Sequence, residues 1–445
     1  MRRLLMLFVS FLASVFMFAE GIDKTQALRK AQEFMPGKNF QEVKSVSKAR
    51  GDASGNAFYV FNADNNGGFV IVSGDDRTEP ILGYAEHGQV SDDNMPDNLR
   101  YWLECYAEQI SHLDKAKRSS TRGTRTVKDG VVPLISAKWD QGTPYNLMCP
   151  DGNGKDYDEG GYNPNNRCLT GCVATAMAQV MYKWKYPTTC QGIDEYTNGF
   201  TLKELPATTF KWDKMTDTYA PNETGEAADA VAELMRYCGQ AAEMRYGVNG
   251  SKTYVTSEQM INYFGYSKTA KDVYRNAYTV TEWEDMIYEE VAAGRPVLYG
   301  GSSASGGHQF ICDGYDGNGL FHFNWGWSGT SDGYFVLSLA NPYELGSGGG
   351  TSKDGYSYSQ DAIIGLKPDG GEAESPRIYS VIEVEEGWST MYSRTSASDH
   401  FTGVSLPGII FMQYDYAEGV APDYALDYGW GLYQDGALKT VLDFS

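Results

Sequence analysis

Apolar residues recur at helical spacing in five stretches of this chain. Lys24 to Phe34 (KTQALRKAQEF) has the period of an amphipathic helix, as has Pro96 to Lys117, where Leu99, Trp102, Leu103 and Ile110 form one apolar stripe. Cys172 to Lys185 gives the strongest helical signal, because Ala174, Ala176, Met177, Ala178 and Met181 are good helix formers. Thr170 is the expected cap of that helix. Two more helices are expected at Ala227 to Gly239 and at Thr281 to Ala293, the second capped by Thr281 with Glu282 and Glu284 in its first turn. Strand patterns fall elsewhere. AFYVFNA and GFVIVSG flank the turn-forming run Asp64 to Gly68 and predict a hairpin. PVLYGG, HQFICDGY, LFHFNWGW and GYFVLSL follow the helices, and IYSVIEVEE and GIIFMQYDYA alternate near the end. Helices first and strands afterwards predict an α+β fold rather than a parallel βαβ one.

The breaks between these patterns divide the chain. Arg2 and Arg3 precede an almost wholly apolar run from Leu4 to Ala19, which reads as a secretory signal peptide. Met17 stands where a small residue is usual before cleavage, so an uncleaved anchor is the alternative. Residues 20–128 read as a small α+β module ending in the basic, polar stretch Lys115 to Lys128 (KAKRSSTRGTRTVK), an exposed linker of the kind that proteases cut. Residues 129–368 read as one larger domain. Residues 369–445, acidic and Gly-rich at first and β-patterned later, read as a small β module, whole or the start of a larger one.

Composition narrows the function. With 42% hydrophobic residues among 445, the chain can bury a sizeable core. Its net charge of -21 argues against nucleic acid or an anionic membrane surface as partner. After signal removal nothing is expected to hold it to a membrane, and the protein is read as secreted or cell-surface. The 7 cysteines are too few for a disulfide scaffold, and none has zinc-finger spacing, so neither metal nor cofactor is expected. An odd count leaves at least one thiol unpaired. Cys149 and Cys168, both in a loop-rich region, are candidates for a bridge or for two buried thiols.

Cys172 sits where a thiol acquires chemistry. It opens a helix, next to the positive end of the macrodipole, and Gly171 before it lets a substrate backbone approach. A buried structural cysteine is the bland alternative. His308 lies downstream by roughly 130–150 residues, the spacing of a papain-like pair, after the glycine-rich loop Gly300 to Gly307. His322, set mid-strand among aromatics, reads instead as a packed histidine. The pair predicts thiolate attack on a peptide carbonyl, proton transfer through His308, and release of the acyl group by water. The backbone N–H of Cys172 is one expected oxyanion donor, and Asn166 is the candidate for the second. Asn324 and Trp325 are candidates to orient His308; adjacent strand residues face opposite ways, so only one of them can do so.

The strings TGCVATAMAQVMYKWKYP, GGHQFICDGYDGNGLFHFNWGWSGTSDGYF and NPYELGSGGG resemble the streptopain family of papain-like cysteine proteases. NAFYVFNADNNGGFVIVSGDDRTEPILGYAEHG is similar to that family's inhibitory propeptide, and WDQGTPYN to the start of its mature enzyme. The resemblance runs from about Gly21 to Pro368. It implies a papain-like catalytic domain in which Cys172 is nucleophile and His308 base, with Trp325 and Trp327 in the active-site wall. It favours Trp325 over Asn324 as the group that orients His308, and it implies an apolar preference two residues before the scissile bond. It also implies that the chain's own propeptide blocks the cleft until proteolysis, and that substrates are proteins or peptides. This chain lacks the residue that streptopain inserts between Gly171 and Cys172, a departure that touches Asn166. The expected function is thus a secreted cysteine endopeptidase made as a zymogen. Its mature chain would begin between about Ser119 and Val131, most readily after Lys128. The alternatives are a papain-like amidase of cell-wall peptides and an inactive, protease-like adhesin.

Overall fold

The computed structural model describes residues 21–49, 55–116, 128–275, 278, 280–303, 306–339 and 360–369, and four strands of the tail. The apolar leader (1–19), the central part of the basic linker (117–127) and the glycine-rich stretch 341–350 lie outside the described residues. The chain divides into two compact units, Met1–Glu372 and Ala373–Ser445.

The first unit opens with α1 (Lys24–Phe34), where Asp23 and Gln26 form a reciprocal capping box. Strands β1 (Phe40–Glu42), β2 (Phe58–Ala63), β3 (Phe69–Ser73) and β4 (Ile81–Ala85) follow, then α2 (Asp97–Ala116). The expected β2–β3 hairpin is present, its turn carried by Asn65 and Asn66 in the left-handed region. Next come α3 (Cys172–Trp184) and four short strands in two ribbons, β5 (Thr189–Cys190), β6 (Tyr196–Asn198), β7 (Phe200–Leu202) and β8 (Thr208–Thr209). Helices α4 (Glu226–Ala241) and α5 (Ser257–Phe264), strand β9 (Lys271–Tyr274) and helix α6 (Val280–Ala292) lead to β10 (Val297–Ser303), β11 (Gly306–Tyr315), β12 (Phe321–Asn324), β13 (Gly333–Phe335) and β14 (Gln360–Ile364). The second unit holds two antiparallel ribbons. One pairs β15 (Ile378–Val384) with β16 (Ile409–Asp415), and the other pairs β17 (Gly429–Gln434) with β18 (Ala437–Asp443).

Ten strands make one sheet in the order β1-β2-β3-β4-β13-β12-β11-β10-β14-β9. The strands of the N-terminal module therefore do not form a sheet apart. Tyr84 and Gly83 of β4 pair with Tyr334 and Phe335 of β13, which removes both edges. Strand alternation assigns the core to two faces. Val297, Tyr299, Phe310 and Cys312 join the cluster that includes Trp102 of α2 and Trp283 of α6. Leu298, Ile311 and Ile363 join the cluster built on α3 and α4.

Three expectations are corrected. The glycine-rich run read as a loop is largely a β-hairpin, in which Ser302 and Ser303 pair with Gly307 and Gly306, so His308 lies inside β11 rather than opening it. Thr170 does not cap α3; Gly171 holds the cap position, and the Thr170 hydroxyl bonds the Thr175 hydroxyl at 2.9 Å. Helix α6 starts at Val280, which puts Thr281 inside its first turn.

Candidate active site

Cys172 is the first residue of α3, half-buried, with ten of the helix's later residues buried behind it. Gly171 is required there by both conformation and space. Its φ is 86°, and a Cβ at that position would lie 2.9 Å from Met244 Sδ and Cε. The Cys172 Sγ accepts a hydrogen bond from the backbone N of Gln309 at 3.5 Å, which sets the thiol one residue from His308.

The two residues that the sequence pairs thus meet, but not as an ion pair. Among the described residues no hydrogen bond joins Sγ to the imidazole. Burial pushes the Cys172 thiol up, against weaker lowering by the N–H groups of Gln309, Val173 and Cys172 itself. Burial pushes the His308 imidazole down, with Asp97 pulling weakly the other way. Both shifts favour neutral partners, so the pull of the helix N-terminus on the thiol is outweighed in this closed form.

The cover responsible is the first turn of α2. Tyr101 sets its ring 5.9 Å from that of His308, and its Oη lies 2.8 Å from where a Gly301 Cβ would be. Asn98, fully buried, donates from Nδ2 to Gln309 O at 3.2 Å and to Trp325 O at 3.0 Å. Trp327 Nε1 donates to Asn98 Oδ1 at 3.4 Å. Deeper along the helix, Trp102 lies against Phe310, Phe323 and Tyr299 at centroid distances of 5.7, 5.1 and 5.9 Å. Tyr106 Oη donates to Val336 O at 2.6 Å, and Gln109 Oε1 accepts from Leu339 N at 2.9 Å. A helix capped at both ends by polar bonds to another element, with aromatic packing between, is bound along its length.

The other residues singled out by sequence have separate fates. Trp327 stands at the cleft, against Asn98. Trp325 is buried on the face that carries His308, with its ring 4.7 Å from Phe310 and its Nε1 donating to Ser331 O at 3.0 Å. Asn324 faces the opposite way, since it pairs across the sheet with Ile311. Its amide is held by Gln179 at 3.2 Å and by Ala137 O at 2.9 Å. Asn166 ends a short 3-10 turn with its amide packed on Gly152, and among the described residues no hydrogen bond links it to Cys172. His322 is buried and bonds Asp313 Oδ1 through Nδ1 at 2.6 Å. All seven cysteines are free, so Cys149 and Cys168 are two buried thiols, with burial raising the first to about 12 and the second to about 11.

Sequence reading missed Asn98, Tyr101 and Gln309. A signal for the first existed: Asn98, Cys105 and Gln109 lie on the stripe that carries Trp102, and polar residues on a helix's buried face need outside partners.

The sequence matches the Peptidase C10 family over residues 139–335 and the Spi protease inhibitor family over residues 19–110. It is 35% identical over 338 residues to streptopain of Streptococcus pyogenes, covering 72% of this chain and 82% of streptopain. It is 34% identical over 337 residues to the thiol protease/hemagglutinin PrtT of Porphyromonas gingivalis, spanning 37% of that longer protein. A fragment of prointerpain A from Prevotella intermedia superposes with a TM-score of 0.61 at 31% identity, over 75% of this chain and all of the fragment.

Proposed function

The chain belongs to the peptidase C10 family, that of streptopain, and from that premise we propose that it is an exported cysteine endopeptidase held latent by its own N-terminal module, with Cys172 as nucleophile and His308 as base. The observation that carries the proposal is the position of the Cys172 thiol. It sits at the start of α3, bonded to the residue after His308 and covered by α2.

Once α2 leaves, the burial that keeps both groups neutral is relieved. The N-terminus of α3 and the Gln309 N–H then favour the thiolate, and the thiolate favours the imidazolium. The thiolate attacks a peptide carbonyl, and the Cys172 N–H faces the oxygen that becomes negative. His308 gives its proton to the leaving amine and then takes one from the water that releases the acyl group. Trp325, on the sheet face of His308, is the candidate to hold the imidazole, and Trp327 forms the wall beside it. Asn166 stays a candidate oxyanion donor that must turn from Gly152 to serve.

Purified precursor, incubated while chain length and casein hydrolysis are followed together, tests the reading. Wild type is expected to shorten and gain activity, whereas Cys172→Ala should do neither. Casein hydrolysis by Cys172→Ala would refute it.

A further inference from the structure

We propose that Asp361 floors a substrate subsite that selects a lysine or arginine side chain, next to the cleft that holds Cys172; the inference rests on the protease reading above.

Four strands bring one row of residues across the sheet. Gln309 of β11 pairs with Gly300 of β10, Gly300 pairs with Asp361 of β14, and Asp361 pairs with Tyr274 of β9. Directly paired residues share a face, and this is the face of Leu298, Ile311 and Ile363, against which α3 packs. The backbone N of Gln309 also bonds the Cys172 thiol, so the row begins at the reacting group.

At the centre of the row the floor is missing a side chain. A Cβ on Gly300 would meet Gln309 Oε1 at 2.9 Å and the two Asp361 oxygens at 3.1 and 3.3 Å. Two polar side chains therefore lean over one glycine from opposite sides. Gln309 is 5% exposed, and its Nε2 is buried without a hydrogen-bond partner. Asp361 makes no hydrogen bond or ion pair among the described residues. Its charged neighbour is a second carboxylate, Asp272, and together with burial this raises it to about 7. Such groups are normally satisfied, and here they stand unsatisfied side by side. Tyr274, 44% exposed, and Tyr254, 54% exposed, rim the place with hydroxyls 3.4 Å apart.

The chemistry of an occupant follows. Two carboxylates with no paired cation attract a positive group, a carboxamide oxygen adds an acceptor, and tyrosine faces suit an aliphatic stem or a guanidinium. Lysine and arginine side chains carry those features. The chain itself supplies such a substrate in Lys115 to Lys128, which contains six of them. In the closed form Tyr101 packs on Gly301, the next residue of the floor, so the same helix that covers His308 borders this place.

A fluorogenic peptide library scanned with arginine against citrulline, its neutral isostere, tests the proposal on mature wild type and on Asp361→Asn. Wild type should favour arginine at one position by about ten- to hundredfold in kcat/KM, as expected of a hydrogen bond to a charged group. In Asp361→Asn that ratio should fall towards one. A ratio near one in active wild type, or a ratio that survives Asp361→Asn, overturns the subsite alone. Mature wild type that hydrolyses no peptide overturns the protease reading, and the subsite with it.

Discussion

Two histidines within reach of one fold make the residue scale decisive. His308 lies beside the thiol and makes no hydrogen bond among the described residues, whereas His322 is bound to Asp313, whose other oxygen accepts from Ile135 N at 2.8 Å. Cys172→Ala should reduce kcat/KM by about 10⁴-fold or more with the melting temperature kept, since it removes the attacking atom and little volume. His308→Ala should lose activity on a similar scale. His322→Ala should instead cost about 2–3 kcal/mol of stability, read by denaturant midpoint, because it strips a partner from a buried carboxylate. If His322→Ala proves the greater catalytic loss, the base is misassigned. Sequence made this choice possible because His308 has glycines around it and His322 has aromatics. It could not show that Asn324 looks towards α3 while Trp325 shares the face of His308, since that follows from register, which pairing fixes.

At the scale of elements, α2 makes the difference between a thiol and a thiolate. Its periodicity was legible, and so was its helix, but not its target: an apolar stripe does not say which surface it covers. The hairpin at 300–307 was misread for a related reason, as its glycines leave room for Tyr101 and substrate rather than for a turn. Burial raises the Cys172 thiol and lowers His308, so in uncut precursor the thiolate appears only above the ordinary thiol range. Removing α2 should bring thiolate reactivity down to mildly acidic pH. Alkylation of Cys172 at pH 6 is therefore expected to be about 100-fold faster in mature enzyme than in precursor; identical pH profiles would contradict the account. Asn98 makes the same point by mutation. Asn98→Ala removes two hydrogen bonds to the cleft, about 1 kcal/mol each, and should raise the labelling rate of uncut precursor by about tenfold. Unchanged labelling would show that Trp102 packing alone holds the helix down.

For the whole molecule, the shared sheet bears on how activation ends. The N-terminal module adds β4 to β13 and lays α2 across β11, so a cut in the linker breaks no contact of either. What the cut removes is the tether, and with it the high effective concentration that keeps an intramolecular inhibitor seated. Linker cleavage should thus produce a nicked complex first, with activity lagging behind chain length and rising on dilution. The site of the cut is limited by what is already held. Lys128 pairs with Asp285 and lies 4.4 Å from the centre of the Tyr288 ring, and Val131 exchanges backbone hydrogen bonds with Tyr315 at 2.7 and 2.8 Å. A protease needs several residues extended on both sides of the bond, so cleavage after Lys128, which composition alone favours, would first have to strip that contact from α6. The mature chain is expected to begin between Ser119 and Lys128. N-terminal sequencing checks this directly, and a mature chain starting at Asp129 would contradict it. If cutting is autocatalytic, Cys172→Ala should remain full-length yet be trimmed at the same bond by added wild type. Full activity in an uncut precursor would refute the inhibitory role of the N-terminal module, whatever the catalytic residues prove to be.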